Sequence, residues 1–412
     1  MSLRTLVLSL VTMLSINQLS AQINPVTERA DNIQLNTITT AVPFLLIAPD
    51  SRAGALGDAG VALSPDAASI HWNAAKMAFS KNEFEVSLSY SPWLRQLVDD
   101  MNLAYLAGYR VLNKNQAVGA ALRYFSLGEI AFTDEAGTAL RTFKPAEFSL
   151  DVAFSQKLSE RFSGGIGARF INSNLTGGLN TNGANTKPGR SVAVDVSAFY
   201  TNDDVKVGGK DATWNWGVNI SNIGAKMSYT DTQDRDFIPA NLRIGTALQM
   251  ELDDYNSLTI TFDANKLLVP TPARYDQESG EIIAGMDPDV GTATAMYQSF
   301  FDAPGNVLID EFGNVEVEQG SVFREELREI NLGGGLEYWY DNQFAFRTGY
   351  FYEHFSKGDR QFITLGAGLK YSVLAIDMSY LISTRQNNPL ANTLRFTLRL
   401  EFDELSKSRS EG

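Results

Sequence analysis

From Phe84 onward the chain alternates apolar and polar residues with a period of two. Phe84, Val86, Leu88 and Tyr90 alternate with Glu85, Ser87, Ser89 and Ser91. Leu103, Tyr105, Ala107, Tyr109 and Val111 follow, then Val118, Ala120, Leu122 and Tyr124. Phe148, Leu150, Val152 and Phe154 oppose Ser149, Asp151 and Ser155; Trp214, Trp216, Val218 and Ile220 oppose Asn215, Gly217, Asn219 and Ser221. Leu258, Ile260 and Phe262 oppose Thr259, Thr261 and Asp263. Successive side chains of a strand point to opposite faces, so each set predicts a strand with one apolar face. Roughly fourteen such strands are expected, each near the ~10 residues that cross a bilayer at a tilt. They begin at Phe84, Met101, Gln116, Glu147, Phe162, Arg190, Asp211, Ala240, Asn256, Glu329, Gln343, Gln361, Val373 and Asn392.

The connections separate a membrane barrel from a soluble sandwich. Long ones (Pro92–Asp100, Glu129–Ala146, Asn172–Gly189, Lys266–Arg328, Ser383–Ala391) take turns with short ones (Leu112–Asn115, Lys157–Arg161, Leu252–Tyr255, Asp341–Asn342). Short periplasmic turns opposite long external loops are the outer-membrane pattern, and a sandwich has no reason to sort loops by parity. Asn202–Lys210 is the exception, of medium length where a short turn is due. The expected fold is an all-β, fourteen-stranded antiparallel transmembrane β-barrel.

Ala48–Phe79 breaks the rhythm, being crowded with Ala, Gly, Asp and Ser and lacking both a strand alternation and a wide helical stripe. Gly165 and Gly167, Gly333 and Gly335, and Gly366 and Gly368 sit two apart on strands, so each pair faces one way and leaves room near the wall. This predicts a plug over 48–82 inside the lumen, with Asp50, Arg52, Asp58 and Asp66 meeting lumen charges such as Arg123 or Arg169. Residues 1–21 read as a signal peptide: Arg4, a broken apolar run Leu6–Ile16, and small residues up to Ala21. Residues 22–47 are then expected to form a periplasmic tail, 83–403 the barrel with 266–328 as its long external loop, and 404–412 a C-terminal tail. Leu398, Leu400 and Phe402 in the last strand resemble the terminal assembly signal of bacterial outer-membrane barrels, although the chain continues past the aromatic.

Composition changes this picture little. In 412 residues, 44% are hydrophobic and 11% aromatic, with 24 Phe and 15 Tyr. Mean hydropathy is −0.14, as expected where lipid-facing and lumen-facing residues alternate. A net charge of −14 lacks the basic footprint that nucleic acid requires. With no cysteine there is no disulfide, thiolate nucleophile or Cys-ligated metal.

The chemistry-bearing motifs are absent. There is no GxxxxGK[ST], GxSxG or HExxH, and the Gly-x-Gly pairs lie within strands. Of the two histidines, His71 stands beside Trp72 and His354 in YFYEHF; neither has a recognisable serine partner. Asp99–Asp100, Asp203–Asp204, Asp253–Asp254 and Asp287 with Asp289 lack calcium-loop spacing and read as solvated turns. No enzyme, cofactor or metal is expected. A loop as long as Lys266–Arg328 is usually functional or disordered, and its apolar patches argue for some order, as a lid or a partner surface.

Two stretches add a resemblance. Pro43–Phe79 and Tyr90–Tyr109 (YSPWLRQLVDDMNLAYLAGY) closely resemble the PorV family, also called LptO, outer-membrane barrel proteins of the type IX secretion system of Bacteroidetes. Trp72, Asn73, Ala74 and Ala75 look like the Asn-Pro-Ala element of the wider FadL-like family, with Ala74 in place of the proline. The resemblance implies a FadL-like barrel with an N-terminal hatch. It also implies a shuttle that binds the C-terminal signal domain of cargo leaving the translocon barrel (SprA, also called Sov) and delivers it to an attachment complex containing the sortase PorU, within outer-membrane lipid. Apolar loop residues Trp93, Leu94, Leu97, Tyr297, Phe300 and Phe301 are the candidate cargo or partner surface. A FadL-like channel for small hydrophobic molecules stays open as the alternative, and would need an apolar pocket near the plug. Arg123, Arg169, Arg243 and Arg347, expected in the lumen, weigh against it.

Overall fold

The structure, a computed structural model, describes residues 35–402 apart from 95–97, 99, 134–138, 179, 182–183, 231–234, 277–278, 310–314 and 386–391. The expected signal peptide, residues 22–34, Leu97 and the tail 404–412 lie outside the described residues.

Fourteen strands run Phe84–Pro92, Asn102–Asn113, Gln116–Ser126, Ala146–Lys157, Phe162–Asn174, Gly189–Val207, Lys210–Gly224, Asn241–Glu251, Asn256–Leu267, Asn331–Tyr340, Phe344–Tyr352, Gln361–Tyr371, Leu374–Ser383 and Leu394–Glu401. Each pairs antiparallel with its neighbours in sequence, and the first pairs with the fourteenth to close the barrel. Leu88 thus stands opposite Leu106 on one side and Leu398 on the other. The strand starts fall within two residues of those expected.

The exception in the loop pattern disappears. The sixth strand continues to Val207 and the seventh begins at Lys210, joined by Gly208 and Gly209 at φ +60° and +82°. Two central residues at positive φ are the two-residue hairpin turn that matches strand twist, and glycine adopts it freely. The pair carries a bulge between Asn202 and Val205, which hid the alternation. Every turn at this end of the barrel is therefore short, and every connection at the other end is longer.

Outward positions carry the large apolar side chains. Two rows of exposed aromatics mark the interfaces: Phe84, Phe154, Trp214, Trp216, Tyr340, Phe344 and Phe346 towards the short turns, and Tyr90, Tyr124, Phe170, Tyr350, Tyr380 and Phe396 towards the long loops. Between them lie Leu88, Leu122, Leu150, Val152, Ile166, Ile260 and Leu365, as an apolar hydrocarbon belt requires. No described helix is long and apolar enough to cross a membrane. The second strand departs from the expected facing, because Leu103, Tyr105, Ala107 and Tyr109 point inward and are buried. In the last strand Leu398 and Leu400 face outward, and Phe402 closes the seam by packing on Phe84 at 5.4 Å between ring centres.

The long connection has its own elements. Helices Thr292–Gln298 and Ser321–Arg328 alternate with the short ribbons Arg274–Tyr275/Ile282–Ala284 and Val307–Ile309/Val315–Val317.

Candidate functional site

Ala48–Phe79 fills the lumen as short turns of helix: Ser51–Gly54, Ser69–Trp72 and the 3₁₀ turn Ala74–Phe79. Polar caps start them. Asp50 Oδ2 accepts from Ala53 N at 2.9 Å, and Asn73 Oδ1 accepts from Ala75 N at 3.1 Å. Small residues let the backbone lie against the wall. A Cβ on Gly333 would stand 2.2 Å from Gly57 O, one on Gly335 2.7 Å from Leu56 Cα, one on Gly165 2.5 Å from Ala75 N, and one on Gly366 2.4 Å from Ala55 Cβ. Three of the glycine pairs thus contribute to seating the plug, although Gly167 and Gly368 face wall side chains instead.

Charges then lock it. Arg52 gives Nε and Nη2 to Glu337 at 3.0 and 2.9 Å and Nη1 to Asp66 at 3.1 Å. Glu337 also accepts from Arg347 Nε at 2.6 Å; Arg347 continues to Asp377, and Asp377 to Arg399. Asp58 pairs with Arg395 at 3.4 Å, while Asp50 accepts from Trp72 Nε1 at 2.6 Å. Asp263 of the ninth strand caps the Gly60 and Val61 amides at 2.7 and 2.9 Å. Asn73 Nδ2 bridges Val61 O in the plug and Ala198 O in the sixth strand, and Ala75 N also donates to Ser197 Oγ at 3.0 Å. This gives the Trp72–Ala75 element its structural role. The expected lumen partners were different ones. Arg169 pairs within the wall, with Asp151 and Asp195, and pins Asn222 of the seventh strand.

Residues 36–47, read from the sequence as part of a periplasmic tail, lie instead at the long-loop mouth. Asn36 N donates to Ser356 O at 3.1 Å, its Nδ2 to Glu325 at 3.1 Å, and Ala41 N to Phe237 O at 2.9 Å, all in long-end connections. Arg123 explains the course: its Nη1 holds the carbonyls of Phe44 and Leu45 at 3.1 and 2.8 Å, and its Nη2 meets His71 Nδ1 at 2.7 Å. Phe44 stacks with Phe125 beneath Trp93 and Leu103. Trp93, chosen as an exposed loop residue, is therefore only 8% exposed, and Leu94 packs on the same cluster. Tyr297, Phe300 and Phe301 are exposed, with Tyr297 edge-on to Phe301 at 4.9 Å.

Sequence reasoning missed the clasp that ties the long connection to the mouth. Helix Ser321–Arg328 turns Glu325 and Glu326 inward, next to Glu329. Lys266 meets Glu326 and Glu329 at 3.0 and 2.7 Å; Lys357 meets Glu325 and Glu329 at 2.7 and 2.9 Å. Asp302 accepts from Thr271 N at 3.2 Å beside them. Burial pushes its carboxyl up to about 7, and the Glu326 and Glu329 carboxylates add to the effect. A carboxyl raised above its unfolded value stabilises the folded loop fully below about pH 4, and that contribution fades as pH rises through about 7. Amide exchange in helix Ser321–Arg328, corrected for intrinsic rates, is expected to be slower at pH 5 than at pH 8. Asp302→Asn should shrink the difference; an unchanged pH dependence in that variant would assign it to other groups.

Two cavities flank the plug. One of about 280 Å³ opens at the short-turn end, lined by Arg52, Glu85, Glu337, Arg399 and Glu401 among others. One of about 370 Å³ lies at the long-loop mouth between Ile38, Pro43, Leu46 and Ile47, Leu267 at the end of the ninth strand, and Arg360 just before the twelfth. Among the described residues no group of three or more acidic or histidine side chains is placed to hold a metal.

The family model of the type IX secretion system protein PorV matches residues 29–274. The chain belongs to the PorV family. That match takes in the plug, the Arg123–His71 contact and the first nine strands, and with the closed fourteen-stranded barrel it places the protein in the outer membrane as a component of type IX secretion. No curated protein matches. Solved structures similar to this PorV-family chain include the Ralstonia pickettii toluene transporter TbuX, at 9% identity and TM-score 0.46 over 86% of this chain and 98% of that one. Others are the P. putida toluene transporter TodX (10%, 0.46, 86% and 99%) and a Pseudomonas aeruginosa FadL homologue (12%, 0.41, 89% and 99%).

Proposed function

We propose that the protein is a membrane-embedded carrier: it binds the C-terminal signal domain of cargo leaving the SprA/Sov translocon and hands it to the attachment complex containing the sortase PorU. The observation that supports this reading is the filled lumen. A folded domain has no passage through a barrel whose centre is held by Arg52, Glu337, Arg347 and Asp58, so work on a protein substrate falls to the outer rim. At the rim, Tyr297, Phe300 and Phe301 present an aromatic patch suited to a protein surface. The role is one of binding and delivery, not catalysis.

The test is photo-crosslinking from Tyr297 and Phe301 in intact cells. Capture of cargo signal domains or the translocon, together with lost secretion on deletion, is the expected result. No capture with normal secretion would end the proposal. One observation favours the alternative, a channel for small hydrophobic molecules: the partly apolar cavity beside Pro43, Leu46 and Ile47. Labelled fatty-acid uptake, lost in the same deletion strain, would support it.

A further inference from the structure

Helix Ser321–Arg328 is built the wrong way round for a helix that packs on a protein core. Its charged face is the buried one, with Glu325 and Glu326 turned to Lys357 and Lys266. Phe323 and Leu327, four residues apart and so on one face, are 67% and 51% exposed. At 100° per residue, Arg324 and Arg328 lie about 100° and 140° from Phe323, on the flank between the apolar face and Glu325. Arg324 is paired with Glu318, while Arg328 makes no hydrogen bond or ion pair among the described residues and feels the longer-range charge of Glu318. Water is a poor environment for such an apolar face, and nothing else in the described chain covers it.

Position says what does. The helix leads directly into the tenth strand, whose outward Leu332 stands opposite Tyr352 and whose Gly334 stands opposite Tyr350. Tyr350 belongs to the outer aromatic row that marks the membrane interface. Five residues, Glu329 to Gly333, separate Arg328 from Gly334 at that level, a span of at most about 20 Å at strand rise, and Leu332 is the first strand residue among them to face lipid. Leu332 and Leu336 are the next outward-facing apolar positions along the chain, and Leu336 lies in the lipid belt. An apolar stripe flanked by arginines, joined directly to a lipid-facing strand, is the build of an interfacial helix.

We propose that helix Ser321–Arg328 lies on the outer leaflet, with Phe323 and Leu327 entering the headgroup–acyl boundary and Arg328 meeting lipid phosphates. Its inner face, clasped by Lys266 and Lys357, couples that anchor to the long connection at the mouth. Because Lys266 also lies 5.9 Å from the Phe300 ring, the anchor fixes the height of the Tyr297–Phe301 patch above the membrane. The inference does not depend on what that patch binds.

The absence of native cysteine makes a single-label test direct. Phe323→Cys and Leu327→Cys, nitroxide-labelled, would be compared in phosphatidylcholine–phosphatidylglycerol vesicles with Leu336→Cys in the lipid belt and Asp254→Cys in a short turn. The expected accessibility to oxygen relative to a water-soluble nickel chelate lies between the two references, and falls towards the turn value with Arg328→Gln or without the anionic lipid. Labels as water-exposed as Asp254→Cys would overturn the proposal. Labels exposed in lipid but shielded when purified cargo domain is added would overturn it in favour of a protein-docking face. Depth insensitive to both Arg328 and lipid charge would remove the phosphate contact and leave only the apolar anchor.

Discussion

Glu337→Ala is expected to loosen the plug more than any other single side-chain deletion. Glu337 is fully buried and receives three hydrogen bonds, two from Arg52 of the plug and one from Arg347 of the neighbouring strand. Removing it leaves two buried guanidiniums short of a counter-charge, and breaking a buried pair from one side costs about 3–5 kcal/mol. Arg52→Ala should cost less, since Glu337 keeps Arg347. The double variant should cost less than the sum of the singles, because the two positions share one interaction. The measurement is the temperature at which the compact folded band on an electrophoresis gel converts to the unfolded one, with ion conductance in planar bilayers as a second readout. A Glu337→Ala protein with an unchanged transition and no conductance would show that the plug is held by packing alone.

Gly57→Val tests packing from the other direction. Gly57 lies at φ +69° in the left-handed region, and a Cβ there would stand 2.3 Å from Tyr350 O and 2.8 Å from Gly334 O, both backbone atoms that cannot swing away. A β-branched side chain adds backbone strain to that collision. The plug cannot seat at Gly333 and Gly349 without displacing the wall, so little folded barrel, or a barrel with a displaced and protease-sensitive plug, is expected. Gly208→Ala is the matched control. It has a similar positive φ of +60° but open space around it, so it should cost only about 1 kcal/mol and leave the plug seated. Equal behaviour of the two variants would rule out the close wall contact.

The barrel was legible in the sequence because two solvents write it. Lipid outside and a polar, small-residue plug inside force a two-residue period, and Val86, Leu88 and Tyr90 could occupy no other face. The second strand shows the limit, since Tyr105 and Tyr109 face inward where the plug supplies an apolar surface of its own. At the lumen, spacing alone announced that something packs near Gly333 and Gly335, but not which charge meets which. Arg52 finds Glu337 across 285 residues of chain, a pairing that no local pattern encodes. The same holds for residues 36–47, unpatterned, whose place is set by Arg123 from 76 or more residues away. Trp93, an apolar residue in an external loop, is covered by Phe44 and Leu45 of that same segment, a contact no local pattern encodes. Helix Ser321–Arg328 escaped detection for a different reason: its acids look like a solvated face, and only Lys266 and Lys357 reveal them as the buried one.

The closing seam couples the plug to the order of assembly. Ser51 N donates to Thr397 Oγ1 at 2.9 Å across 346 residues, and Asp58 reaches Arg395 on the same final strand. Contacts so distant in sequence form late, after the entropy of a very long loop has been overcome. The first part of the plug to be synthesised therefore waits for the last strand, and the ring closes around it. Once the first and fourteenth strands have paired, the contacts of Ser51 and Asp58 with the last strand tie the plug to the closed ring.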